Sequence, residues 1–159
     1  MSLLPIFEWC ETTVVGQTIR DSLWLFPVIE ALHLVAFAVL GGTVLLVNLR
    51  ILGTAFPSEP VARLARDTRP WQSGSLAAAL ASGSLLFLSE PRKLYYSGPF
   101  WVKMASLALA ILFTFTVHRK LTLADEGQVG PLPRKLAALV SIALWSGVAW
   151  GGRWIGFSG

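Results

Sequence analysis

Charge is scarce in this chain, and cysteine is nearly absent. Only 14% of the 159 residues are charged, where a soluble domain carries about a quarter. An ordinary water-facing globular surface is therefore excluded. The single cysteine, Cys10, rules out an intrachain disulfide and any multi-cysteine metal site. With no second cysteine or adjacent base beside it, it reads as an unreactive thiol. There is no Gly-rich phosphate loop, no HExxH, no cysteine cluster and no nucleophile elbow, so the enzyme classes that those motifs carry are not indicated. The balance points away from an enzyme.

What is present is apolar. Hydrophobic residues make up 54% of the chain, and they fall into four blocks separated by short segments holding most of the charge. Each helix crossing a bilayer needs about 20 apolar residues, because lipid offers the backbone no hydrogen-bond partner. The pattern predicts an all-α integral membrane four-helix bundle forming one domain over 1–159. Its spans are placed at about 23–49, 73–89, 100–118 and 136–157. Residues 3–20 mix Leu4, Phe7, Val14 and Ile19 with Glu8, Glu11 and Arg20. They predict a short amphipathic helix on the membrane surface. The missing basic n-region and the interrupting acids argue against a cleavable signal peptide. Asp21 or Ser22 can cap the first span, with Pro27 in or near its first turn.

The loop 51–72 contains a helix start at Ser58-Glu59-Pro60 and predicts a small surface helix carrying Arg63, Arg66 and Arg69. The second span is short and rich in small residues, and Gly147, Gly151 and Gly152 give the fourth another close-packing face. Residues 119–135 read as a polar loop. The net charge of +4 does not indicate nucleic acid, because the basic residues sit at the ends of apolar blocks. Trp9, Trp24, Trp71, Trp101 and Trp154 lie near block ends, as an aromatic belt requires. Counting basic residues gives eight on the side of the loops after spans one and three, against five on the other. Arg50, Arg119 and Lys120 are helix-end charges on the richer side. The positive-inside rule then puts both termini outside the cytoplasm.

Ionisable residues inside a span are functional candidates, since burying charge in hydrocarbon costs at least ~2.5–3.5 kcal/mol on insertion scales. Glu30, His33 and Lys103 qualify. By helical rise, Glu30 and Lys103 lie roughly 9–10 Å outside the midplane and His33 about 5 Å outside. Glu30 and Lys103 can therefore pair and lock two helices, or the three can form a proton or ligand site with His33 titrating. One histidine in each of two spans raises haem b, with His33, His118 and Met104 as possible ligands. The same rise separates His33 from His118 by roughly 16 Å in height, which disfavours one bis-His haem. His118 opens His-Arg-Lys and is expected at a helix end reachable by water or headgroups.

Three stretches together resemble a known family. They are Ser22 through His33, Gly42 through Gly53 with Asn48-Leu49-Arg50, and Lys93-Leu94-Tyr95-Tyr96 with Pro99, Phe100 and Lys103, ending at His118. They resemble an uncharacterised family of small bacterial four-span membrane proteins, over most of the chain except the fourth span. Members often carry Asp where this chain has Asn48; if that Asp forms an ion pair with Arg50 or another base, the pair is lost here. The resemblance implies a four-span fold and draws attention to Glu30, His33, Arg50, Lys103 and His118. A looser similarity, in helix count and intramembrane His, is to copper-resistance membrane domains and b-type cytochromes.

The expectation is a small bacterial inner-membrane protein without catalysis of its own, a subunit or accessory of a larger membrane assembly. Its partners would be the lipid bilayer and other membrane subunits or further copies of itself. Two alternatives stay open: a b-type cytochrome passing electrons, and a small carrier or proton path through Glu30, His33 and Lys103.

Overall fold

A computed structural model describes residues 3–124 and 129–157. The described residues form seven helices: α1 (Leu4–Glu11), α2 (Val14–Asp21), α3 (Leu25–Leu52), α4 (Val61–Ser89), α5 (Pro91–Tyr95), α6 (Gly98–Leu123) and α7 (Pro131–Ile155). Three of them, α3, α6 and α7, are long and apolar enough to cross a membrane. The second predicted span, 73–89, is the apolar end of α4, and α4 as a whole is not among the three. Its first half carries Arg63, Arg66, Asp67 and Arg69.

α3 starts where the sequence predicts. Ser22 Oγ accepts from the backbone N–H groups of Leu25 at 3.2 Å and Trp24 at 3.4 Å, covering donors that the first turn leaves unpaired. Pro27 falls in that turn. The helix ends at Gly53, whose φ of 83° lies in the left-handed region that glycine enters without a Cβ clash. The Gly53 and Thr54 N–H groups then close back on the Arg50 and Leu49 carbonyls.

Two predicted boundaries are not helix ends. The surface helix expected before residue 72 and the second span are one continuous helix, α4, running through Pro70. A proline removes one ladder donor, yet the helix continues on both sides of it. The third span does not stop at His118. After a π-helical turn at Thr114–His118, the chain stays helical to Leu123, so Arg119 and Lys120 lie on α6 rather than in a loop. Of the predicted polar loop 119–135, residues 125–128 lie outside the described residues.

α3 packs along α4, α7 packs along α6, and α3 also packs on α7; α4 meets the last turn of α6. All four long helices supply the core, which gathers Leu40 and Val44 from α3, Leu76 from α4, Ala110 from α6, and Trp145 and Val148 from α7. The small-residue face predicted on α7 is used. A Cβ at Gly151 would come within 3.0 Å of Lys103 Cβ and 3.1 Å of its backbone nitrogen.

The predicted N-terminal surface helix is two helices, broken where Thr13 turns extended and its Oγ1 accepts from the Gly16 N–H. Both pack across one end of the long helices. Phe7 meets Phe87 and Tyr95 edge-on, each at 5.1 Å between ring centroids. Arg20 Nε donates to the Ser89 carbonyl at 2.8 Å. Glu11 receives Arg20 and Arg92 at 3.7 and 3.5 Å. Cys10 is buried here as a free thiol.

Candidate functional site

Two polar clusters lie between the helices, one toward each end. The cluster on the α1–α2 side is built on His33. A serine hydroxyl has one proton, and Ser82 Oγ donates its own to the Ala78 carbonyl at 2.7 Å. His33 Nδ1 lies 2.9 Å from the same Oγ, a hydrogen bond that joins α3 to α4, and the ring also meets the Ala79 backbone. Gly83 lets the imidazole lie close to α4, since a Cβ there would stand 3.0 Å from His33 Cε1. Ser82 gave no signal in sequence beyond the general expectation of hydroxyls between spans.

Lys103 enters the same region from α6. Its side chain runs over Gly152, whose added Cβ would lie 3.6 Å from both Cε and Nζ. The ammonium is in electrostatic reach of the His33 ring. Glu30 and Lys103 are each five residues into their helices, a rise of about 7.5 Å. At this common depth they still form no ion pair; among the described residues the ion pairs are Arg20–Glu11, Arg63–Asp67, Arg92–Glu11 and Lys93–Glu90. The reason is rotational. Lys103 turns into the groove of α7, while Glu30 stays exposed on α3.

The second cluster was not foreseen as a unit. Asn48, fully buried on α3, donates from Nδ2 to Ser141 Oγ of α7 at 3.0 Å. Its Oδ1 accepts from His118 Nε2 of α6 at 2.7 Å. One turn away, Trp145 Nε1 donates to Thr114 Oγ1 at 3.2 Å. These groups tie three helices together, and all five residues are buried. His118 and Thr114 bound the π-helical turn, which shifts the register of side chains beyond it. The expectation that His118 is water-reachable is thus corrected: the residue is buried, 7% exposed. The polar cue was Asn48 itself, a lone amide in an apolar run.

The remaining candidates stand apart. Arg50 Nε donates to the Glu59 carbonyl and closes the α3–α4 connection. Arg119 and Lys120 are exposed. Met104 is 42% exposed on α6. Fifteen residues of α3 separate His33 from Asn48, the partner of His118. That is about 22 Å of helical rise, so the two imidazoles cannot share one iron. Among the described residues there is no group of three or more His, Cys, Asp or Glu side chains able to hold a metal ion.

A family model described as a family of unknown function, DUF6644, matches residues 6–158. The chain belongs to that family. No curated protein and no solved structure matches it. Membership of DUF6644 agrees with the uncharacterised kind of family that the motifs resemble. It lends no support to the looser likeness to copper-resistance membrane domains or b-type cytochromes.

Proposed function

We propose that the protein is a four-span bacterial inner-membrane protein, a four-helix bundle with both termini outside the cytoplasm. We propose further that it acts as a non-catalytic subunit or accessory of a larger membrane assembly. The apolar end of α4, residues 73–89, is the fourth span in this reading; at seventeen residues it is at the short limit for crossing. The eight-to-five excess of basic residues supports the orientation.

Glu30 carries the functional reading. Around it on α3, Val28, Leu32, Leu34 and Val35 are 51–62% exposed, as lipid-facing residues are. A carboxylate among them faces the lipid, at a cost that reaches ~2.5–3.5 kcal/mol at the centre of a span and is smaller at this depth. A neighbouring membrane helix that brings a cation or hydrogen-bond donor to this depth removes that cost. The partner is another subunit or a second copy of this chain. A photo-reactive residue at Leu34, one turn from Glu30, tests the contact in native membranes. The expected product is a covalent adduct with a membrane protein; adducts with lipid alone contradict it.

A second reading, a proton path or a cytochrome, is favoured by the placement of His33 between α3 and α4, on Ser82, with Lys103 in electrostatic reach. Proton flux in proteoliposomes that is lost in His33→Ala and Lys103→Ala would support a path. A Soret band lost in His33→Ala would support a cytochrome.

A further inference from the structure

At the end of the long helices opposite α1 and α2, the polar half of α4 lies against the last turn of α6. An open pocket of about 50 Å³ sits between them. Arg66 and Arg69, three residues apart on one face of α4, line it together with Arg119 and the buried ring of His118 from α6. Arg63, the other basic residue of this stretch, does not line the pocket and pairs with Asp67 at 3.9 Å. Among the described residues, none of the three pocket arginines has a carboxylate at ion-pair distance. Among the described residues, three exposed arginines thus gather on the rim of one small space without an acid of their own, and such a rim attracts an anion. Arginine forks match phosphate oxygens in particular.

The pocket wall continues onto the outside of α6 through Phe115 and Leu123, 38% and 37% exposed. A purely soluble anion makes no use of such a wall; an amphiphile covers both parts. The location agrees, because the ends of apolar spanning helices are where headgroups lie. The continuity of α4 through Pro70 holds Arg66 and Arg69 on a helix rather than in a loop.

We propose that this pocket binds the phosphate of an anionic phospholipid headgroup, with an acyl chain along Phe115 and Leu123. The site requires only that α3, α6 and α7 cross a bilayer. It is independent of which end faces the cytoplasm and of any protein partner at Glu30.

Native mass spectrometry of the delipidated full chain in neutral detergent tests it, with phosphatidylglycerol and phosphatidylcholine as probes and inorganic phosphate as competitor. Phosphatidylglycerol should be retained in preference to phosphatidylcholine. At about fivefold per arginine near a headgroup, Arg69→Gln should weaken retention about fivefold, and the Arg66→Gln, Arg69→Gln, Arg119→Gln triple variant about a hundredfold. Arg63→Gln removes one charge from the same half of α4 outside the pocket and should leave retention unchanged. Equal loss in Arg63→Gln and Arg69→Gln would reduce the effect to general surface charge and overturn the site. Equal retention of the two lipids overturns it as well. Displacement of phosphatidylglycerol by millimolar inorganic phosphate, with the same thermal stabilisation from phosphate alone, would make the ligand a soluble anion and overturn the lipid assignment. If the triple variant does not fold, the paired single variants carry the same comparison.

Discussion

Replacing Asn48 by leucine perturbs one side chain and strands two others. Leucine nearly matches asparagine in shape but neither donates nor accepts. His118 Nε2 loses its acceptor at 2.7 Å, and Ser141 Oγ loses the donor at 3.0 Å. Asn48 is fully buried and Ser141 is 1% exposed, so bulk water does not replace these bonds. On the scale of water-soluble proteins, two orphaned buried groups cost about 2–6 kcal/mol. Within a membrane a hydrogen bond between helices averages about 0.6 kcal/mol and reaches about 1.7, because the unfolded helices also find partners. The membrane scale governs here, and two bonds give an expected loss of about 1–3 kcal/mol. Reversible unfolding in mixed micelles, titrated with a denaturing detergent, measures it. The triple variant Asn48→Leu, Ser141→Ala, His118→Leu leaves no orphan, so it should be less destabilised than the summed single variants. An Asn48→Leu protein within about 0.5 kcal/mol of the parent would refute the reasoning, because that is the range of an uninvolved surface position. So would simple additivity in the triple.

Other outcomes follow from the same geometry. Gly151→Ala should lower stability by about 1–3 kcal/mol, since its Cβ meets the Lys103 backbone and α6 and α7 must separate; a melt equal to that of the parent contradicts this. No low-spin bis-histidine spectrum should depend on His33 and His118 together, and equal loss of such a spectrum in His33→Ala and His118→Ala would overturn the 22 Å separation. Cysteines introduced at Phe157 and at Ala124 should differ in intact cells toward an impermeant thiol reagent. The Phe157 site should react; reaction at Ala124 alone inverts the topology.

The helices were legible where local chemistry decides them. Ser22 gives a cap and the glycines of α7 a close-packing face, whereas the first span, placed to end at 49, runs on to a left-handed stop at Gly53. These signals act over one or two turns and need no partner elsewhere. The misplaced boundaries are those where local and tertiary signals disagree. Arg63, Arg66 and Arg69 look like a small surface helix in a loop before the span, yet α4 is continuous through Pro70 and packs on α3 and on the last turn of α6. His118-Arg119-Lys120 reads as a solvated end, but α6 continues to Leu123. His118 is buried because Asn48, 70 residues earlier in the chain, supplies its acceptor. Nothing near His118 in sequence signals that partner. For Glu30 and Lys103, helical rise places both at one depth but cannot give the rotation of each helix, and rotation is what keeps them apart.

Whether the chain works as part of an assembly can be measured by blue-native electrophoresis of mildly solubilised native membranes, comparing the parent with Glu30→Leu. If Glu30 meets a partner helix, the parent migrates in a complex well above monomer mass. Glu30→Leu then shifts to the monomer position while α3, α6 and α7 remain folded by circular dichroism. A parent that already migrates as a monomer, or a complex of the same mass and abundance in both, would contradict a subunit held through this face.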